Sequence, residues 1–108
     1  IHIEAPDEMG HRGDAQRKMQ AISLIDRQVI GTAVRELRAA GEAFRLLVLP
    51  DHATPVRCRT HTNTPVPYLL YDSTQPTCHP HQRYHEKSAQ TGRFFSTGSE
   101  LLAHFLQI

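Results

Sequence analysis

The sequence predicts an α/β chain, a mostly parallel sheet with flanking helices, and three observations carry that prediction. Two short strand-like stretches, residues 1–5 and 45–50, bracket a long segment of helical periodicity. The second stretch, Arg45-Leu46-Leu47-Val48-Leu49-Pro50, is a continuous apolar run of the kind buried parallel strands show. Acidic and imidazole side chains follow both stretches directly, as they do at the carboxyl edge of such sheets.

Ile1 to Ala5 alternates apolar and polar residues like a half-buried strand, with His2 and Glu4 on the face opposite Ile1 and Ile3. The chain opens on Ile1 with no initiating Met, so the start reads as a cut made just before a strand. Pro6 ends the strand, and Asp7 to Gly13 reads as a loop. From about Asp14, Ala15, Met19, Ile22, Ile25, Val29, Ala33, Leu37 and Ala40 recur at helical spacing and give one apolar face. Asp14 is the expected N-cap and Gly41 the left-handed terminator. Gly31, inside the pattern, marks a close packing contact, and Asp26 a hydrogen bond to a neighbouring loop. Strand, helix and buried strand make a right-handed βαβ unit.

A polar loop, Asp51 to Pro65, leads to a third strand, Val66 to Tyr71, and a second loop, Asp72 to Pro80. A small strand at Arg93 to Ser96 and a last helix, Ser99 to Leu106, burying Leu101, Leu102, Phe105 and Leu106, complete the reading.

With 108 residues, 39% hydrophobic and 21% charged, the chain is one domain or part of a larger one. A net charge of +1 argues against non-specific nucleic-acid binding. No apolar run spans a bilayer, and no export signal opens the sequence. Cys58 and Cys78 form no CxxC pair and no disulfide framework, which makes the cytoplasm the default location.

Histidine is abundant, with 8 copies. Asp7 and His11 follow the first predicted strand, Asp51 and His52 the second, and His61 lies in the next loop. Carboxylate with imidazole is a ligand mixture for Zn²⁺, Mn²⁺ and related ions. Asp7 and His11, four apart, can address one ion from one turn, with Gly10 letting the backbone bend between them. Adjacent residues such as Asp51 and His52 diverge. A second group, Cys78, His79, His81 and His85, matches no familiar zinc spacing and reads as a His-rich surface loop. Arg57 and Arg59 are solvated or touch phosphate, and His104 is a packing residue.

Three ordered motifs, Glu4-Ala5-Pro6-Asp7-Glu8-Met9-Gly10-His11, Pro50-Asp51-His52-Ala53-Thr54-Pro55, and Arg59-Thr60-His61-Thr62 with Pro65-Val66-Pro67, carry a resemblance. The chain resembles the cofactor-independent (2,3-bisphosphoglycerate-independent) phosphoglycerate mutases of the archaeal-type branch, within the alkaline phosphatase superfamily. The likeness runs over almost the whole chain. It implies a partial alkaline-phosphatase-like fold, with residues 1–108 as the C-terminal metal-binding part of the metalloenzyme domain. It also implies two divalent ions, Mn²⁺ foremost with Zn²⁺, Mg²⁺ or Co²⁺ as alternatives: one held by Asp7, His11 and His61, the other by Asp51 and His52.

In the intact enzyme such ions, about 3.5–4 Å apart, would support in-line phosphoryl transfer from 3-phosphoglycerate through a phosphoserine to 2-phosphoglycerate, with no bisphosphoglycerate. The nucleophilic Ser and one further Asp have no counterpart here, so no catalytic residue is assigned and the fragment alone is expected to be inactive. Substrate-binding residues stay unassigned. The same ligands fit a homoserine kinase-like or other phosphoryl-transfer or hydrolase relative, and also a non-catalytic metal-binding module. Oligomerisation through an exposed sheet edge is compatible with the sequence.

Overall fold

The structure is a computed structural model that describes residues 1–75, 77 and 82–107. Cys78, His79 and His81 of the predicted His-rich loop lie outside the described residues. The chain divides into two units, Ile1–Ala43 with Asp51–Pro65, and Phe44–Pro50 with Val66–Ile108.

The first unit opens with a helix, α1 (Ala5–Arg12), where a strand and then a loop were expected. Two features of the sequence explain the correction. Pro6 stands at the first helical positions, where its fixed φ fits and its missing N–H is no loss. Asp7 and Glu8 in the first turn, with His11 and Arg12 in the last, both complement the helix dipole. Residues 1–4 belong to no helix or strand, and no strand among the described residues pairs with them.

Gly13, with φ 72°, closes α1: its N–H donates to the Gly10 carbonyl and the N–H of Asp14 donates to that of Met9. That pair of bonds is the left-handed helix stop that glycine favours. Asp14 then caps α2 (Ala15–Leu24), its carboxylate accepting from the Arg17 N–H at 2.9 Å.

The predicted long helix is present but changes pitch midway. A π-helical segment, Ile25–Ile30, separates α2 from α3 (Gly31–Ala39), and the Gly31 N–H reaches back five residues to the Asp26 carbonyl. Gly31 therefore serves its own helix rather than a packing partner: a Cβ there would stand 3.1 Å from that carbonyl. Gly41, with φ 69°, ends the helical run as expected. Ile25, Val29 and Ala33 are half-buried, whereas Met19 and Ile22 are largely exposed.

In the second unit, β1 (Arg45–Val48) pairs with β2 (Leu69–Asp72) in antiparallel register, Arg45 opposite Asp72 and Val48 opposite Leu69. The expected parallel sheet and its βαβ crossover are replaced, among the described residues, by this two-stranded ladder. The continuous apolar run that suggested a strand buried on both faces belongs to a half-buried pair. The ends of the ladder explain its register. Arg45 Nε lies 2.9 Å from Asp72 Oδ2, and Asp72 Oδ1 accepts from the Thr74 N–H and hydroxyl, folding the following turn.

The strand expected at Arg93 to Ser96 is instead a loop. The Arg93 carbonyl accepts from the Tyr68 hydroxyl at 2.9 Å and the Phe95 ring packs edge-on to Tyr68, so side chains hold this segment without a ladder. A short helix, α4 (Glu86–Ala89), is capped by His85, whose Nδ1 accepts from the Ser88 N–H. The final helix, α5 (Gly98–Gln107), starts where Thr97 Oγ1 accepts from the Glu100 N–H, and the Glu100 carboxylate reaches back to Ser96. Leu101 is buried and Phe105 half-buried, one turn apart. Leu102 and Leu106, expected inside, lie on the exposed side. His104 packs on Phe95, as expected of a packing residue. No helix among the described residues is long and apolar enough to cross a membrane.

Candidate metal centre

Helix α1 sets the first two donors. Asp7 and His11 stand one turn apart, and His11 Nε2 lies 3.3 Å from Asp7 Oδ2. Gly10 between them is buried and helical, so it does not bend the backbone as expected. Its function is clearance: a Cβ there would collide with the backbone carbonyl and the γ-methyl of Thr54. The missing side chain lets α1 lie directly against residues 53–55.

The third donor arrives through a short bridge. Ala53 pairs antiparallel with Thr62, the Thr62 N–H donating to the Ala53 carbonyl at 3.0 Å. Between them the chain turns at Pro55, whose carbonyl accepts from the N–H groups of Cys58 and Arg59. Arg59 closes the turn with φ 54°, a left-handed conformation that is unusual outside glycine. The bridge carries His61 over α1, with its Nε2 3.2 Å from Asp7 Oδ1 and 3.1 Å from His11 Nε2.

Asp7, His11 and His61 thus present ligand atoms within 4.8 Å of one another. The residues fit a metal ion. Two donors each about 2.0–2.1 Å from a tetrahedral ion stand about 3.3 Å apart, close to the 3.1 Å between His11 Nε2 and His61 Nε2, while the Asp7 carboxylate meets the two rings through different oxygens, Oδ2 at 3.3 Å from His11 and Oδ1 at 3.2 Å from His61. His11 Nδ1 lies 3.0 Å from the Arg59 carbonyl. A carbonyl only accepts, so the proton sits on Nδ1 and the lone pair on Nε2 points at Asp7 and His61.

The Asp7 carboxyl is held below its ordinary range, first by the Thr54 hydroxyl at 2.5 Å and then by the imidazoles of His11, His61 and His52, against an opposing effect of burial. It stays ionised at neutral pH.

His52 borders this cluster. Its ring lies 3.7 Å from that of His61, centroid to centroid, and its Nδ1 is 3.2 Å from Thr54 Oγ1. Asp51 is exposed and addresses its neighbour: Oδ1 accepts from the His52 N–H at 3.1 Å, and Oδ2 lies 3.5 Å from His52 Nε2. The two adjacent side chains were expected to diverge, yet they converge. Among the described residues the grouping of three donors contains neither of them.

Thr54 and the Arg59 backbone escaped the sequence reading. Thr54 is 4% exposed, its hydroxyl meets Asp7 and its carbonyl accepts from Lys18 Nζ at 2.6 Å. A signal existed: a hydroxyl two residues beyond His52, made extended by the following Pro55. Arg59 contributes its carbonyl, a group whose role no sequence motif advertises.

Residues 1–107 match the model of the Metalloenzyme superfamily. The chain is also similar to proteins named 2,3-bisphosphoglycerate-independent phosphoglycerate mutase. The one from Methanothrix thermoacetophila is 49% identical over 73 residues, 68% of this chain and 19% of the relative. That from Methanosarcina mazei is 35% identical over 92 residues, 85% and 23% of the two chains. That from Metallosphaera sedula is 34% identical over 102 residues, 94% and 24%. The chain spans about a fifth of the length of these curated relatives. No solved structure matches it.

Proposed function

The chain belongs to the Metalloenzyme superfamily, and from that premise we propose that it is the C-terminal metal-binding portion of a cytoplasmic 2,3-bisphosphoglycerate-independent phosphoglycerate mutase. The whole protein would interconvert 3-phosphoglycerate and 2-phosphoglycerate through a phosphoserine, with no bisphosphoglycerate added. The observation that carries this reading is the convergence of Asp7, His11 and His61 from helix and bridge onto one point. The names of the relatives supply the substrate.

Asp7, His11 and His61 would hold one divalent ion, with Mn²⁺ foremost. Asp51 and His52 would contribute to a second, completed by groups outside residues 1–108. When bound, the ions supply positive charge that stabilises a phosphoryl group in transfer. The chain's own residues do the rest: Asp7 stays ionised, His11 presents its Nε2 lone pair, and Gly10 and the Ala53–Thr62 bridge fix the approach of the donors. The phosphoryl-accepting Ser would lie outside residues 1–108, so this segment alone is expected to show no turnover.

The test is an assay of the full-length protein, stripped of metal with a chelator and reloaded with Mn²⁺. Conversion of 3-phosphoglycerate to 2-phosphoglycerate that returns with metal and needs no bisphosphoglycerate is the expected result. Failure of that conversion, alongside ATP-dependent phosphorylation of homoserine or simple phosphate release, would overturn the substrate reading.

A further inference from the structure

We infer that Thr54 is a positioning residue whose single hydroxyl joins the two candidate ligand sets, orienting the Asp7 carboxylate and fixing which nitrogen of His52 carries a proton. The inference rests on the metal-centre reading above.

The argument is one of proton accounting. A carboxylate can only accept, so the one hydroxyl proton of Thr54 is donated to Asp7 Oδ1 at 2.5 Å. What remains on Thr54 Oγ1 is lone pairs. His52 Nδ1, 3.2 Å away, must therefore be the donor of its bond. A neutral imidazole protonated at Nδ1 carries its free lone pair on Nε2, the atom that lies 3.5 Å from Asp51 Oδ2. One hydroxyl thus sets an imidazole tautomer on one side. On the other it fixes a carboxylate whose oxygens lie 3.2 Å from His61 and 3.3 Å from His11. Groups that hydrogen-bond to ligands in this way orient them and raise their affinity for the ion.

Burial sets Thr54 apart from its surroundings. It is 4% exposed beneath donors that are themselves half-buried or exposed, so water does not compete for its hydroxyl. Its place in the chain is secured by other means: the Lys18 ammonium on its carbonyl, the adjacent Ala53–Thr62 bridge, and the clearance at Gly10. Removal of the hydroxyl alone therefore leaves the backbone where it is.

The experiment compares Thr54→Val, which keeps the shape and removes the hydroxyl, with Thr54→Ser, which keeps the hydroxyl and removes the methyl. Each full chain is titrated calorimetrically with Mn²⁺ and with Zn²⁺, its metal-free melting curve is recorded, and the His52 tautomer is read by long-range ¹⁵N–¹H NMR. The expected result is metal affinity lowered about 10–100-fold in Thr54→Val and restored in Thr54→Ser, with His52 losing its Nδ1 proton preference only in the valine variant. Equal affinity in parent and Thr54→Val would overturn the inference and leave the metal centre standing. Equal weakening in both variants would overturn it in favour of methyl packing. A parent chain that binds neither ion would overturn the metal centre itself, and this inference with it.

Discussion

His11 Nδ1 lies 3.0 Å from the carbonyl oxygen of Arg59, a residue 48 positions away whose backbone is turned into the left-handed region at φ 54°. That conformation costs a non-glycine residue roughly 1–2 kcal/mol, and here it closes the turn that presents the carbonyl to the imidazole. The partner is an acceptor only, so at a pH where His11 is neutral its proton belongs on Nδ1. Long-range ¹⁵N–¹H NMR on the metal-free protein is expected to show that tautomer; an Nε2–H form would refute the assignment. Because the contact is made by backbone, Arg59→Gly should preserve it.

Removing a donor from the cluster should cost more affinity than removing a group that merely orients one. Asp7→Ala and His61→Ala are each expected to weaken Mn²⁺ or Zn²⁺ binding by more than about 100-fold. Asp51→Ala should leave that first binding event nearly unchanged, since its carboxylate faces His52. Calorimetric titration decides, and parent-like binding by both Asp7→Ala and His61→Ala would remove the first-ion assignment.

The contrast between what the sequence disclosed and what it hid follows the range of the forces involved. The Asp14 cap and the Gly41 stop are local, and local chemistry determines them. The grouping of Asp7, His11 and His61 was legible from residue type and resemblance, although the reason given for it, strand ends on one sheet edge, was not the one the structure uses. Helix α1 is hidden in the sequence because the alternating pattern over residues 1–5 runs directly into the helix-starting chemistry of Pro6, Asp7 and Glu8. Strand direction is set by which segments meet, and a run such as Leu46-Leu47-Val48 does not encode it. Thr54 and the Arg59 carbonyl act across some fifty residues through one hydroxyl and one backbone oxygen: the hydroxyl's place after His52 marks Thr54 as a candidate without naming its partner, and nothing in the sequence marks the carbonyl.

Gly10 offers a sharp stability test. Alanine there should gain about 1 kcal/mol of helix propensity, but overpacking typically costs about 1–3 kcal/mol. The obstructing group is the Thr54 backbone rather than the end of a flexible side chain, so the clash should win. Gly10→Ala is expected to lower the melting temperature by several degrees and to weaken metal binding. A variant as stable as the parent would show that α1 can move away without consequence.

Asp72 predicts an acid-dependent loss of stability in the second unit. Hydrogen bonds from the Thr74 hydroxyl and N–H, and then the Arg45 guanidinium, hold its carboxyl at about 2 against an ordinary value of 3.8. A carboxyl lowered on folding stabilises fully above its unfolded value, and that stabilisation disappears as pH falls through the folded one. The gap in melting temperature between parent and Asp72→Asn should be constant from neutral pH to about pH 4 and close as pH approaches 2. A gap that is flat across that window would contradict the assignment.

The wide turn at Ile25–Ile30 gives the helical run a built-in phase shift. Each residue of an α-helix advances its face by about 100°, and a turn closed by a five-residue reach absorbs one residue that ordinary winding would not. Deleting a single residue there should restore uniform winding from Ala15 to Ala39 and leave Ala33 and Leu37 close to their present phase against Met19 and Ile22, because the residue lost is the one the wide turn absorbs. The segment is therefore the point in this helix where a one-residue change in length leaves the inward faces on either side in place, and where a one-residue gap would fall if two such chains were superposed.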